Sequence, residues 1–321
     1  MMKNSVIYVM FLMVISFSFY ACQQSANGSN GKEEVLSGNE KLTEQYKPDA
    51  NWNSYWYQGK AEITSYKLMQ SRYGEIHEGT AVNIFVTEDF SRSKQVKLDD
   101  PSKAGDDKLP ILKLNQSIKF NTGIYPYSIM MSAFSPVDIN NYPHAVKITG
   151  SIQEWCGMAT YQMNNKKNKF EIEQRSYFEQ EGDKEISLTA SVQEDELWNL
   201  IRLNPDKLPR GEISILPGTE YLRLSHKPTE AVKANLDLRD ENGIMVYVID
   251  MPSLQRKLLI RFEKSFPYKI MGWEDAYPGI DGVVLTTTAI KNKELLLDYW
   301  RTHNNADRIL REQLGLPKDA Q

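Results

Sequence analysis

The sequence predicts a mainly β chain of α+β character, a large antiparallel curved sheet or partly open β-barrel packed on one or two helices. Three observations carry that expectation. Short runs with apolar side chains at every second position recur from residue 60 to residue 290, the period of a strand with one buried face. Turn chemistry such as Tyr73-Gly74-Glu75 and Asp240-Glu241-Asn242-Gly243 separates the runs at hairpin spacing. Only two stretches have helical spacing. Strands twist, so a flat sheet of that many is unusual, and curvature or partial closure is expected.

In chain order, residues 1–21 stand apart. Lys3 is the only charge in the first 31 residues, and an apolar run covers 6–21. A positive start before a hydrophobic stretch is the pattern of an export signal. The run falls short of the roughly 20 apolar residues a spanning helix wants, and it carries Ser16 and Ser18. It closes on Ala21-Cys22. A small residue before a cysteine at this place resembles a bacterial lipobox, although Phe19 and Tyr20 are bulkier than usual there. That resemblance implies removal of 1–21 and acylation of Cys22, with palmitate-type chains anchoring the protein in a membrane. One chain binds only marginally, because each buried CH₂ contributes about 0.8 kcal/mol; several hold firmly. Gln23 stands where an Asp would mark inner-membrane retention, so an outer-membrane destination is expected, on either the periplasmic or the surface face. Lys32-Glu33-Glu34 resembles a short surface-export tag, or is a plain solvated stretch.

Residues 22–45 are rich in Ser, Asn, Gly and Gln and hold no aromatic residue. They cannot bury enough surface to order themselves and read as a flexible tether reaching roughly 25 Å. Aromatic density rises at Tyr46, Trp52, Tyr55, Trp56 and Tyr57, so one β-rich domain is expected over 46–321.

Within it, strands are expected at 60–70, 80–88, 111–120, 125–134, 145–154, 158–163, 169–178, 185–192, 212–216, 219–225, 232–239, 244–251, 256–263 and 283–290. A helix is expected over 193–202, where Leu197, Leu200 and Ile201 share a face, acids fill the first turn and Pro205 ends the run. A second is expected over 306–314, capped by Asn305 and stopped by Gly315 and Pro317.

Composition bounds the function. Lys and Arg total 38 against 42 Asp and Glu, a net charge of −4, which argues against a nucleic-acid binder. An acidic body is not drawn to anionic lipid either, so the acyl group has to supply the membrane attachment. Two cysteines build neither a disulfide framework nor a four-cysteine zinc site. The four histidines have no metal-ligand spacing. HExxH, GxSxG, GxxxxGK[ST] and GxGxxG are all absent, so no cofactor is expected.

The remaining candidates each have a bland alternative. Cys156, in Gln153-Glu154-Trp155-Cys156-Gly157, is a nucleophile only if a base such as His144 reaches it across a hairpin; otherwise it is a small strand-end residue. Asp99-Asp100 and Asp106-Asp107 form either a Ca²⁺ loop or a solvated acidic turn. Aromatic residues around 52–57, 272–278 and 299–300 stack on a sugar or line an apolar pocket if exposed, and plug the core if buried. Trp155, Cys156, His144, Trp273 and Tyr277 are therefore the candidate ligand contacts.

The run Tyr57-Gln58-Gly59-Lys60-Ala61-Glu62-Ile63 resembles a family of uncharacterised Bacteroidota envelope lipoproteins. So do Arg72-Tyr73-Gly74-Glu75, residues 120–128 and Gln153-Glu154-Trp155-Cys156-Gly157. Some members carry the label septum formation inhibitor, which belongs to Maf-type nucleotide pyrophosphatases; their Ser-Pro-Arg-Arg-like signature does not occur here. A meander with an internal helix also looks like the open barrels of periplasmic lipoprotein carriers. The expected function is a lipid-anchored, non-catalytic binding or scaffold protein for a hydrophobic or glycan ligand. The alternative is an exported hydrolase using paired carboxylates or Cys156. No protein partner can be named from the residues.

Overall fold

Alternation along the chain builds one 16-stranded sheet in a computed structural model that describes residues 49–318. The expectations for 1–21, Cys22 and the tether fall outside the described residues.

The described chain opens with a short helix, α1 (Trp52–Trp56), and enters β1 (Ala61–Arg72), β2 (Glu75–Ser91), the two-residue β3 (Val96–Lys97), β4 (Lys108–Thr122) and β5 (Tyr125–Pro136). There follow β6 (Lys147–Glu154), β7 (Gly157–Lys166), β8 (Lys169–Ser176), β9 (Lys184–Thr189) and β10 (Val192–Gln193). The helix α2 (Glu194–Leu203) leads to β11 (Gly211–Leu216), and α3 (Thr219–Leu224) leads to β12 (Val232–Glu241). The sheet is completed by β13 (Ile244–Met251), β14 (Arg256–Glu263), β15 (Ile270–Pro278) and β16 (Val284–Leu297), and α4 (Ile309–Gln313) lies near the end.

The strand order runs β10 through β16, then β1, β2, β4 and on to β9, with β3 as a spur on β2. All pairings are antiparallel except β10 with β11. The two free edges are β9 and β10, yet only Ala190 and Ser191 separate them in the chain. Three peptide steps span at most about 11 Å, so the sheet curls until its edges nearly meet. It is an open barrel, as the alternating pattern predicted.

The interior is filled. Inward residues of nearly every strand, among them Tyr66, Phe85, Leu114, Ile148, Phe170 and Tyr247, join Trp198 and Ile201 of α2 in one cluster. The sequence dictates α2 locally. Gln193 and Glu196 form a reciprocal capping box, three acids occupy the first turn and Arg202 the last. Its apolar face packs on β4 and β5, where Asn199 Nδ2 donates to the Leu112 and Ala133 carbonyls at 3.1 and 3.0 Å. At its far end Arg202 is completely buried and grips Glu62 of β1 with two bonds of 2.6 and 2.7 Å. Where β14 and β15 lose register at Arg261/Phe262, Gly272 lets the chain pass so close to the Ala289 carbonyl that a Cβ would lie 2.2 Å from it.

Three expectations are corrected. The strand expected over 219–225 is instead the helix α3, Thr219–Leu224. Residues 270–278 form a strand, β15, where only an aromatic cluster was expected. The C-terminal helix is shorter than 306–314: a 3₁₀ turn over Asn305–Arg308, boxed by Asn304 and Asp307, precedes α4.

Candidate ligand-binding groove

Antiparallel order sends alternate turns to the same end of the barrel. The tight turns after β1, β4 and β6 share one end with the connections carrying α3, residues 252–255 and residues 279–283. Call this end the mouth. The β1–β2 turn is closed by Tyr73 and Gly74, both at positive φ (54° and 75°). That is the geometry of a two-residue hairpin turn that favours Asn-Gly, and a tyrosine there is strained. The turn nearly touches the 279–283 connection, since a Cβ on Gly74 would lie 2.5 Å from Asp281 Oδ2.

Between these segments lies a groove of about 580 Å³, walled by Tyr221, Leu224, Leu254, Tyr277, Ile280 and Val283. Its polar lining includes Arg72, His226 and Lys227, and no carboxylate. Tyr277 stands edge-on to Tyr221, ring centroids 5.0 Å apart. Arg72, Tyr73 and His226 also border a neighbouring hollow of about 320 Å³, which adds Tyr125, Glu154, Cys156 and Arg223.

A chain of polar contacts shapes that hollow. His226 Nδ1 lies 2.8 Å from Glu181 Oε1, and Arg223 Nη1 donates to the same oxygen at 3.1 Å. The other arm of Arg223 holds Glu154, whose second oxygen accepts from the Tyr125 hydroxyl at 3.1 Å. The Cys156 backbone N–H donates to that hydroxyl at 2.8 Å. Burial, then the Cys156 thiol beside it, pushes the Tyr125 phenol above its usual range. The exposed Cys156 and the Glu181-oriented His226 thus share a hollow with no hydrogen bond joining thiol to imidazole.

Of the sequence candidates, Tyr277 lines the groove and Cys156 the adjoining hollow. Trp155 is 65% exposed on the rim, 6.0 Å from the Tyr125 ring, outside both linings. Trp273 is buried in the core between Tyr66 and Trp198, not at a surface. His144 does not approach Cys156. It sits in the β5–β6 connection, the full length of β6 away, roughly 25 Å at strand rise. Its Nδ1 contacts Glu196 Oε1 at 3.0 Å, and although burial opposes the charge, Glu196 raises its pKa.

Arg72 was not among the candidates. A signal for it existed: Leu68, Gln70 and Arg72 fall on one inward register of β1, so a cation continues a buried face.

No protein-family model matches the chain, and no curated protein does. Among solved structures it is similar to a beta-barrel-like protein of a domain of unknown function, DUF1849, from Brucella abortus. The TM-score is 0.40 at 7% identity, over 74% of this chain and 98% of that one. A likeness of that degree says nothing about function.

Proposed function

We propose that the protein is a lipid-anchored envelope lipoprotein that binds a hydrophobic or glycan ligand in the groove at the barrel mouth, without catalysis. The observation that carries the reading is the groove itself: an open 580 Å³ concavity with an aromatic and aliphatic wall and a few polar groups, the composition of a small-molecule site. The ligand sits at the mouth, not in the lumen. Unlike an open-barrel carrier, this barrel is occupied by α2 and by Tyr66, Trp273 and Trp198, packed edge to face. Tyr221 and Tyr277 are largely buried, with one Tyr221 face under the Arg256 guanidinium, and it is the remaining ring edge at the wall that meets a sugar ring or an apolar chain.

Among the described residues the groove lining holds no carboxylate, which supports binding over paired-acid chemistry at that place. The thiol version of the hydrolase reading draws on the His226–Glu181 pair beside Cys156. Cys156→Ser separates the two. Under the binding reading ligand affinity stays within about two-fold of wild type, and any thioester- or ester-cleaving activity that vanishes with it favours the thiol.

Two measurements test the proposal. Cys22→Ser should release the protein from the membrane fraction and abolish labelling by an alkyne-tagged fatty acid; unchanged fractionation refutes the lipid anchor. Dodecyl maltoside, which carries both a sugar and an alkyl chain, should bind the chain, and Ser253→Trp at the groove lip should weaken it at least ten-fold. No binding at millimolar probe, or indifference to Ser253→Trp, refutes the groove.

A further inference from the structure

Four arginines of the described chain are buried: Arg72, Arg202, Arg223 and Arg256. Three are neutralised. Arg202 pairs with Glu62, Arg223 with Glu154 and Glu181, Arg256 with Glu194 and Asp275. Arg72, only 7% exposed, makes no ion pair among the described residues. One Nη donates to the Leu224 carbonyl, the other lies 3.5 Å from the Tyr73 hydroxyl, and Nε has no hydrogen-bond partner among the described residues. Its guanidinium lies over the Tyr73 ring, 4.5 Å from the centroid, and 5.6 Å from that of Tyr127. A buried charge without a counter-charge costs several kcal/mol, which is why buried cations are almost always paired. A carbonyl and two aromatic rings do not neutralise it.

Arg72, with Tyr73 and His226, also borders both mouth cavities. The other basic side chains of the groove lining, His226 and Lys227, add no negative charge, and no carboxylate is in that lining. The carboxylate that lines the neighbouring hollow, Glu154, is held by Arg223, as is Glu181 behind His226. Tyr73, which covers one face of the guanidinium, is kept there by a backbone conformation a tyrosine disfavours. Strain and an uncompensated cation converge on one spot.

We infer that Arg72 is the receptor for an anionic group, a phosphate or carboxylate, carried by an amphiphile whose apolar part lies along Leu224, Leu254, Tyr277 and Ile280. This rests on the groove reading and names its ligand class. The guanidinium supplies a planar fork that a phosphate or carboxylate can meet with two hydrogen bonds. The anion supplies the counter-charge that the chain omits.

The test uses the chain from residue 22 onward with Cys22→Ser, which keeps the whole compact unit of residues 44–321. Dodecyl phosphate, dodecanoate, inorganic phosphate and dodecyl maltoside are titrated calorimetrically, with thermal midpoints recorded beside each. Dodecyl phosphate or dodecanoate should bind at least ten-fold tighter than dodecyl maltoside and raise the midpoint. Arg72→Gln should bring the anionic probes within three-fold of the maltoside. Arg72→Lys, which keeps the charge and loses the fork, should fall between; should Arg72→Gln not fold, Arg72→Lys carries the comparison. Equal affinity of wild type for anionic and neutral probes, or equal anion affinity in the variants, overturns the inference and leaves the groove reading standing. Failure of every probe overturns both. Inorganic phosphate binding as tightly as dodecyl phosphate overturns the amphiphile and leaves a free anion as the ligand.

Discussion

At the residue scale the barrel is organised by ionised groups inside it. Arg202 and Glu62 are both essentially inaccessible and bonded twice. Removing one partner strands the other charge, so Arg202→Met should lower the unfolding free energy by about 3–5 kcal/mol, read by urea denaturation. A second cluster gathers four acids, Glu194, Asp195, Glu220 and Asp275, around Arg256. Arg256 binds Glu194 and Asp275, and Thr219 and Gln193 hydrogen-bond Asp195, which leaves Glu220 without a bond of its own. Burial, then the Asp275 charge, pushes Glu220 up to about 8, and burial with Glu194 pushes Asp195 up to about 6. A carboxyl that holds its proton longer when folded stabilises most below its unfolded pKa, near 4.5 for Glu, and loses that contribution as pH rises towards 8. Glu220→Gln should therefore leave the thermal midpoint at pH 4.5 nearly unchanged and raise it at pH 8.5. A midpoint equally shifted at both values would contradict the assignment. None of this was legible in sequence, because the acids come from α2, α3 and β15, and 42 acids offer too many pairings for spacing to choose among.

At the element scale, what the sequence disclosed depended on how faithfully each segment kept its period. β4 alternates buried and half-exposed residues over most of its length and was found. β15 was missed because Asp275, between Trp273 and Tyr277, puts a carboxylate on the inward register to meet Arg256, which erases the apolar alternation. α3 was read as a strand because six residues, nearly all buried, cannot be arbitrated by period. Its helical start is fixed from afar by Asp195, which accepts from the Thr219 N–H at 3.0 Å. The groove was legible only at Tyr277, since it is assembled from turns distant in the chain. α2 was legible because its caps and acids are local. Its tertiary anchor is Asn199, whose amide also reaches Ser135 Oγ at 3.0 Å. Asn199→Leu removes those donors and should cost about 1–3 kcal/mol by chemical denaturation, with helix content retained on the remaining cap.

At the scale of the whole molecule the barrel has a seam. β9 and β11 each present an edge that no neighbouring strand covers along most of its length, whereas β1, β2 and β4 are paired on both sides. Amide exchange should therefore be fastest in β9 and the first residues of β11 and slowest in β2 and β4, as hydrogen–deuterium mass spectrometry can read. Uniform protection across the sheet would mean that the seam is sealed by contacts the strand pairing does not include. The seam also reaches the site: α3 follows β11, and Gln180, in the connection that leads into β9, lines the mouth groove.

The order of strands in space is the order in the chain rotated by one cut. Apart from the spur β3 and the open β9/β10 edges, neighbours in sequence are neighbours in the sheet, and the one long-range closure joins β16 to β1, Leu297 opposite Ala61. A circular permutant that links the old ends through a flexible spacer and opens the chain between Ala190 and Ser191 would shorten the sequence separation of that closure and break no ladder. With the β1–β16 pairing brought nearer in sequence, it should form that ladder earlier than the parent, as pulsed hydrogen exchange during stopped-flow refolding can read.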